Sequence, residues 1–442
     1  MRPPTFDVVD RTHGTVLASF QVAGEREVRT AVEAARHAAA AWASASAGTR
    51  ARALRRWRGE LWRSSSRLAE LLHRESGLGF DDAMLDVLRT VEHLRWAEGH
   101  LARALGPQTT ARGRLSPELG STTDWVPEGV VAVVTGGRPS LYATMSAVTC
   151  ALAAGNAVVV QPGSRVTATL SDVVAALGRI RDVPDDVLQL VAGDDATALA
   201  LAGSPVDRVC YLGAPVAGVR VTTVAARAMV PATVVAVVAP VTLVAPDADL
   251  ERAAAAVAHL GTADDDPPAE VLVAPSVLDD FRAALDRVGP SPRRGVVARA
   301  LGRRRGPLEL PPGPRGDVRI ETAPAFEALV ERLRAHPVAE VAVHSARDGQ
   351  HLAQLLAAAE VTVNLPAPSS ASTGGGVPRA ALGSPGYGPF AGDAGLRTFA
   401  RARTTTARRR LPVPTAPVEL LLSTPAGRLA TRLALHVRHS LD

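Results

Sequence analysis

The stretch Ala151-Leu-Ala-Ala-Gly-Asn156-Ala-Val-Val-Val-Gln161-Pro162 decides the fold. Its first four residues close an apolar helical pattern that begins at Leu141. Gly155-Asn156 then makes a turn, Ala157 to Val160 is an apolar run of one strand's length, and Pro162 punctuates it. From Pro139 to Ser164 there is no charged residue. That length raises a membrane span, but Ser140, Gly155, Asn156, Gln161, Pro162 and Gly163 interrupt it, so the reading is a buried helix, a turn and a buried strand.

Working outward, apolar runs and helical patterns alternate. Strands are expected at Val130 to Val134, Val187 to Leu190 and Val206 to Leu212, with helices at Leu141 to Ala153 and Ala168 to Ile180. Such alternation specifies the α/β class, a parallel sheet covered on both faces. A second set follows: strands at Val241 to Val244, Val271 to Val273, Ala339 to Val343 and Val361 to Val363, and helices at Leu250 to Leu260 and from Leu278. Between them Gly289 to Gly316, rich in Arg, Pro and Gly, reads as a loop. Upstream lie two short strands, Phe6 to Val9 and Thr15 to Phe20, and helical patterns from about Arg26, Arg50 and Phe80. Trp42, Trp57 and Trp62 are expected to pack these helices. Gly106 to Asp124 is hairpin-like, and Thr424-Pro425 opens a helix running to about His439.

Length and charge narrow the function. At 442 residues the chain exceeds one core and predicts two or three domains. Its 49 basic residues are all arginine, and the scarcity of Ile and Asn beside abundant Ala, Arg, Val, Gly and Pro points to coding bias rather than to nucleic acid. Arg303-Arg-Arg305 and Arg408-Arg-Arg410 fall under the same explanation, so no nucleic-acid partner is expected. Without lysine there is no Schiff-base amine and no lysine phosphate clamp. Two cysteines, Cys150 and Cys210, build no disulfide framework, and Met1 to Asp10 has no apolar signal, so a cytoplasmic protein is expected. Both cysteines are read as inert core residues. Asp264, Asp265 and Asp266 are read as a solvated loop, and His436 and His439 lack further ligands, so no metal site is expected.

The run Val28 to Trp42, Arg50 to Leu61 and Leu71 to Gly77 is followed by Pro127-Glu-Gly-Val-Val131, the stretch Ala151 to Pro162, Asp207-Arg-Val-Cys-Tyr-Leu-Gly213, Asp247-Ala-Asp-Leu250, Val363-Asn364, and Gly374-Gly-Gly-Val377 through Gly386-Tyr-Gly388. In this order the motifs resemble the aldehyde dehydrogenase superfamily over about Phe6 to Arg408. The resemblance implies a Rossmann-like nucleotide-binding-type domain at 1–105 and 125–240 and a catalytic-type α/β domain at 241–395. It also implies a β oligomerisation element at 106–124 and 396–412, including a strand near Leu396 to Arg408, while the residues beyond it, 413–442, are read on their own pattern as a helical C-terminal extension.

An enzyme of this family would use a cysteine thiolate, a glutamate base, an oxyanion asparagine and NAD or NADP. The resemblance puts these positions at about Asp265, Val235 and Arg138, where none of the three residue types stands. No catalytic residue is therefore assigned. Cofactor-type positions fall on Gln161 in place of the ribose-binding lysine, on Ser164 in place of an acid, and on Gly213 and Gly218 in the glycine turn. Gln161 could still donate to ribose hydroxyls. The glycine turn could aim backbone N–H groups at a phosphate, although Ala214 lacks the usual hydroxyl and Val219, Val221, Thr222 and Thr223 weaken the helix expected next. The leading expectation is a catalytically degenerate family member acting as a structural or regulatory subunit, in a homo-oligomer or beside an active homologue. The alternative is an NAD(P)-dependent oxidoreductase acting on aldehydes with relocated catalytic residues.

Overall fold

A computed structural model describes residues 4–109, 119–136, 140–236, 241–258, 269–288, 318–336, 338–365, 380–381, 386–408, 424–430 and 432. The chain divides into two compact units. One comprises Met1–Ala104 and Pro127–Ala400, the other Leu105–Val126 and Arg401–Asp442.

The first unit opens with an antiparallel ribbon, β1 (Thr5–Val9) and β2 (Val16–Gln21), followed by α1 (Glu25–Ser44), α2 (Ala47–Arg63), α3 (Ser65–Ser76) and α4 (Phe80–Ala104). Four helices stand where three patterns are read, because a single residue, Ser64, separates α2 from α3. Trp42 and Trp57 are buried, and their indole N–H groups donate to Leu152 O at 2.9 Å and Val173 O at 3.0 Å. Trp62 departs from the expectation and is 58% exposed. Five residues beyond Trp57 on the same helix, it points about 140° away from the buried face.

In the second unit β3 (Gln108–Thr109) and β4 (Leu119–Pro127) pair antiparallel, as the hairpin reading expects. The first unit continues with β5 (Val130–Thr135), α5 (Leu141–Ala154), β6 (Ala157–Gln161), α6 (Thr167–Gly178), β7 (Leu188–Leu190), α7 (Asp195–Ala202), β8 (Arg208–Gly213), α8 (Pro215–Arg227) and β9 (Ala232–Ala236). The uncharged stretch is the centre of this layer. In α5 Ser140 caps the N-terminus by accepting from Ala143 N, while Thr144 and Ser146 donate their hydroxyls back to Ser140 O and Tyr142 O. These two hydroxyls thus find partners inside the helix, which is buried nearly all round, although Thr149 Oγ1 has no partner among the described residues. Gly155 ends it at φ +98, and a Cβ there would stand 2.7 Å from both Arg50 Nη1 and Pro127 Cγ, so only glycine fits.

A second parallel set runs β10 (Val241–Val244), α9 (Leu250–Val257), β11 (Ala269–Val273), α10 (Leu278–Val288), β12 (Val318–Glu321), α11 (Phe326–Ala335), β13 (Val338–His344), α12 (Gly349–Leu355) and β14 (Ala358–Val363). Then come β15 (Ala380–Ala381), β16 (Gly386–Pro389), α13 (Gly392–Thr398) and β17 (Ala400–Arg408). Among the described residues the larger sheet has the order β15-β16-β9-β8-β5-β6-β7, and the smaller the order β12-β11-β10-β13-β14. The larger sheet is parallel from β9 to β7 and closes with antiparallel β16 and β15. The smaller is parallel throughout and buries Phe281 and Val257 in one core and Leu329 and Leu333 in another. The α/β class is therefore observed.

Three local expectations are corrected. Leu396 is helical, not part of the last strand, because α13 drives Leu396 and Phe399 fully into the core and packs Gly395 against the Phe390 backbone. α8 forms despite its β-branched residues. Pro215 starts it, Gly218, Val221 and Ala225 make its buried face, and Thr222 and Thr223 bond back to Gly218 O and Val219 O at 2.8 and 2.7 Å. α7 was not read at all. In the second unit β17 joins β4 and β3, with Ser121–Thr406 and Thr123–Thr404 hydroxyl pairs and an Arg403–Asp124 ion pair. Of the C-terminal extension only residues 424–430 and 432 are described, and 425–430 are helical. The Gly289 to Gly316 loop and the Arg303 to Arg305 run lie outside the described residues. Among the described residues no helix is long and apolar enough to cross a membrane.

Candidate functional site: a cleft at the carboxyl ends of the larger sheet

From β5 the chain winds outward through β6 to β7, then returns to β8 on the other side of β5 and continues to β9. Strand order reverses between β5 and β8, and in open α/β sheets ligands bind outside the carboxyl ends of the strands at such a reversal. A cleft of about 270 Å³ lies there. Its walls come from Thr135 and Gly136 after β5, Gln161 to Ser164 after β6, Gly193 to Asp195 before α7, Tyr211 on β8, and Ala198, Leu199, Ala217, Arg220 and Val221 on the two helices.

Gln161 is buried in this wall, and Ser164 is exposed. The Gln161 amide nitrogen donates to Pro162 O at 3.0 Å and Gly193 O at 3.1 Å, an arrangement that only the N–H₂ end can satisfy. Its Oε1 is buried and has no hydrogen-bond donor among the described residues. The amide nitrogen that the sequence reading offers to ribose hydroxyls is thus committed to two backbone carbonyls. Thr135 holds the adjacent turn, donating to Gln161 O and accepting from Gly163 N.

The glycine turn also behaves differently from expectation. Gly213 and Gly218 do not line the cleft, because both lie against Tyr211. A Cβ on Gly213 would collide with Gly136 O and stand 2.6 Å from the Tyr211 hydroxyl, and one on Gly218 would meet the Tyr211 ring at 3.1 Å. Gly218 N already donates to Ala214 O, and Pro215 brings no N–H to the start of α8. The two glycines serve close packing of Tyr211. Burial, reinforced by Asp195, pushes the Tyr211 phenol up to about 12, and it stays protonated and donates to Ala214 O at 3.1 Å.

Sequence reasoning missed the charged rim. Asp194 caps α7, accepting from Ala196 N and Thr197 N, and Asp195 pairs with Arg220 at 3.0 Å. The signal was available, since Asp194-Asp195 before an Ala/Leu run is a helix start.

The groups that thiolate chemistry would need are placed elsewhere. Cys150 on α5 and Cys210 on β8 have no exposed surface, and burial pushes both thiols up, Cys210 to about 12. Cys150 Sγ lies 3.7 Å from His93 Nε2, which is equally buried. Both asparagines hold backbone. Asn156 Oδ1 accepts from Glu128 N and Gly129 N while Nδ2 donates to Ala151 O and Phe399 O, and Asn364 exchanges bonds with Ser345 N and O. Val235 sits in β9, paired with Leu212 and Gly386. Asp264 to Asp266, Arg138, His436 and His439 lie outside the described residues. No group of three potential metal ligands occurs among the described residues.

Residues 2–265 match the family model described as aldehyde dehydrogenase family. The 4,4'-diapolycopene aldehyde oxidase of a Methylomonas species is 26% identical over 254 residues, which cover 57% of this chain and 48% of that protein. The chain thus spans about half the length of the curated relatives it matches. Among solved structures, the NAD-dependent aldehyde dehydrogenase of Sinorhizobium meliloti superposes with a TM-score of 0.80 at 20% identity, over 93% of each chain. The betaine aldehyde dehydrogenase of Staphylococcus aureus, solved with NAD+, gives 0.78 at 20% identity, covering 93% of this chain and 94% of that one. At these identities the likeness carries the fold.

Proposed function

Because the chain belongs to the aldehyde dehydrogenase family, we propose that it is a member without the family reaction, acting as a structural or regulatory subunit in a homo-oligomer or beside an active homologue. One observation carries this reading: the chain has two cysteines, and both are fully buried core residues with thiols held protonated. An aldehyde carbon must be reached by an exposed thiolate, and burial in apolar surroundings removes both the access and the charge. The commitment of both asparagine side chains to backbone groups supports the same reading.

The cleft supports retention of a cofactor-class ligand, NAD or NADP, at Gln161 and Ser164, with Gly213 and Gly218 shaping the wall behind them. The fit is uneven. The apolar helix faces suit a nucleoside, whereas Pro215 and Ala214 leave few donors for a phosphate. This half of the site is what favours the second reading, an NAD(P)-dependent oxidoreductase with relocated chemistry. When bound, such a cofactor would supply a hydride acceptor, and this chain's own residues would hold its nucleoside end.

Thiol labelling of the native full chain with iodoacetamide separates the readings. Neither cysteine is expected to react until denaturant is added. Rapid labelling of either one in the folded protein, slowed by an aldehyde, would overturn the proposal.

A further inference from the structure

Two helices face each other across the cleft, and they meet differently at their two ends. At the carboxyl end of α7, Gly203 lies against Val224 of α8 so tightly that a Cβ on Gly203 would stand 3.1 Å from Val224 Cγ1. At the amino end of α7 the helices hold the cleft between them. α7 lines it with Ala198 and Leu199, and α8 lines it with Ala217 and Val221. Asp195, which opens α7, and Arg220 of α8 border the same cavity, and their side chains join at 3.0 Å.

This pair sits at the solvent edge. The Asp195 side chain is 75% exposed and that of Arg220 54%, whereas Ala198 and Val221 on the same two helices are buried. A ring entering between the apolar walls has to pass the ion pair. Neither residue has another structural duty among the described residues, because Asp194 rather than Asp195 caps α7 and Arg220 has no second acidic partner. Exposed ion pairs add little to stability and are screened by salt. A contact of this kind braces the fold weakly, and it is easily opened.

We propose that the Arg220–Asp195 ion pair is an autoinhibitory strap, which ties α7 to α8 across the mouth of the cleft and admits a planar ring only when it is broken. The inference rests on the reading of this cleft as a cofactor-class site. It does not depend on whether the chain turns over an aldehyde. Gly203 and Val224 hold the two helices together at the other end, so breaking the strap frees the cleft mouth while that contact stays in place.

Calorimetric titration of the purified full chain with adenosine, an uncharged probe, tests it at low and at high ionic strength, with NAD titrated in parallel. Asp195→Asn and Arg220→Met each break the pair, and each is expected to bind adenosine about fivefold more tightly than the wild type at low salt, equivalent to the 1 kcal/mol that is about the most an exposed pair holds. The double variant Asp195→Arg, Arg220→Asp rebuilds the pair with its charges exchanged and is expected to return to the wild-type affinity, with thermal melting recorded to confirm folding. Raising the salt should tighten adenosine binding to the wild type and leave the single variants unchanged. Single variants that bind no more tightly than the wild type, a charge-exchanged variant that behaves like the single ones, or no adenosine binding in any form would overturn the strap. Adenosine binding that follows the strap while NAD fails to bind would sink only the cofactor reading, so the two failures are distinguishable.

Discussion

The two ends of the larger sheet are built from the same strands but handle polar groups in opposite ways. At the amino ends of β5 and β8, Asn156 makes four hydrogen bonds to backbone, and Glu128 engages Arg208 through both oxygens at 2.6 and 2.8 Å. The Arg50 Nε atom is an exception to that saturation. Among the described residues, Gln161 Oε1 at the carboxyl ends and Asp86 Oδ2 on α4, facing the start of α5, are buried without a hydrogen-bond partner, and the glycines make room for Tyr211 beside a cleft. The difference teaches where stability and where recognition reside. Saturated networks lock the fold, and unpaired buried acceptors sit where the fold carries an uncompensated polar cost beside the cleft.

The contrast can be broken by mutation, and the largest effect belongs to the amino ends. Asn156→Ala removes four buried hydrogen bonds and is expected to cost about 4 kcal/mol in urea unfolding, because each contributes about 1 kcal/mol and the orphaned backbone groups stay buried. A loss below about 1 kcal/mol would show that this end is no lock. Arg208→Met leaves the Glu128 carboxylate, 4% exposed, without its partner, and should cost about 3 kcal/mol. Adding Glu128→Gln should restore part of it, which a double-mutant cycle measures.

Asp86 sharpens the comparison through pH. Desolvation outweighs the help of Arg89 and the donors at the start of α5, and raises its carboxyl from 3.8 to about 6. The folded chain therefore holds this proton more tightly than the unfolded chain, and the Asp86 contribution to stability falls as pH rises from about 4 to about 6. Asp86→Asn should flatten that segment of the unfolding-midpoint profile, and an unchanged slope would refute the assignment. The smallest effect is expected at the exposed cleft rim. Ser164→Ala should shift stability by no more than about 0.5 kcal/mol, measured in the same urea titration.

Eight strands of the two sheets were legible because apolar, β-branched runs admit little else, whereas β9, β12, β15 and β16 were not read. α7 was not, since Asp-Ala-Thr-Ala-Leu-Ala-Leu-Ala has no amphipathic period and only its Asp194 cap betrays it. α8 was read as weakened because propensity was weighed without the buried face made by Gly218, Val221 and Ala225. In the candidate site, the family resemblance placed Gln161 and Ser164 at the end of a strand. The direction of the Gln161 amide could not be read, because it is set by Gly193, 32 residues away. The Arg220–Asp195 pair likewise joins two helices whose approach no local pattern encodes. Gly213 and Gly218 were read as a phosphate turn because the spacing of glycines does not reveal the aromatic ring they accommodate.

The central claim is that this fold persists without the family's chemistry. Formation of NAD(P)H by the purified full chain, supplied with NAD or NADP and with aliphatic, aromatic and semialdehyde substrates in turn, tests it most directly. The account predicts no aldehyde-dependent rate above the protein-free background. A sustained rate abolished by Cys210→Ala or Asp265→Ala would contradict it.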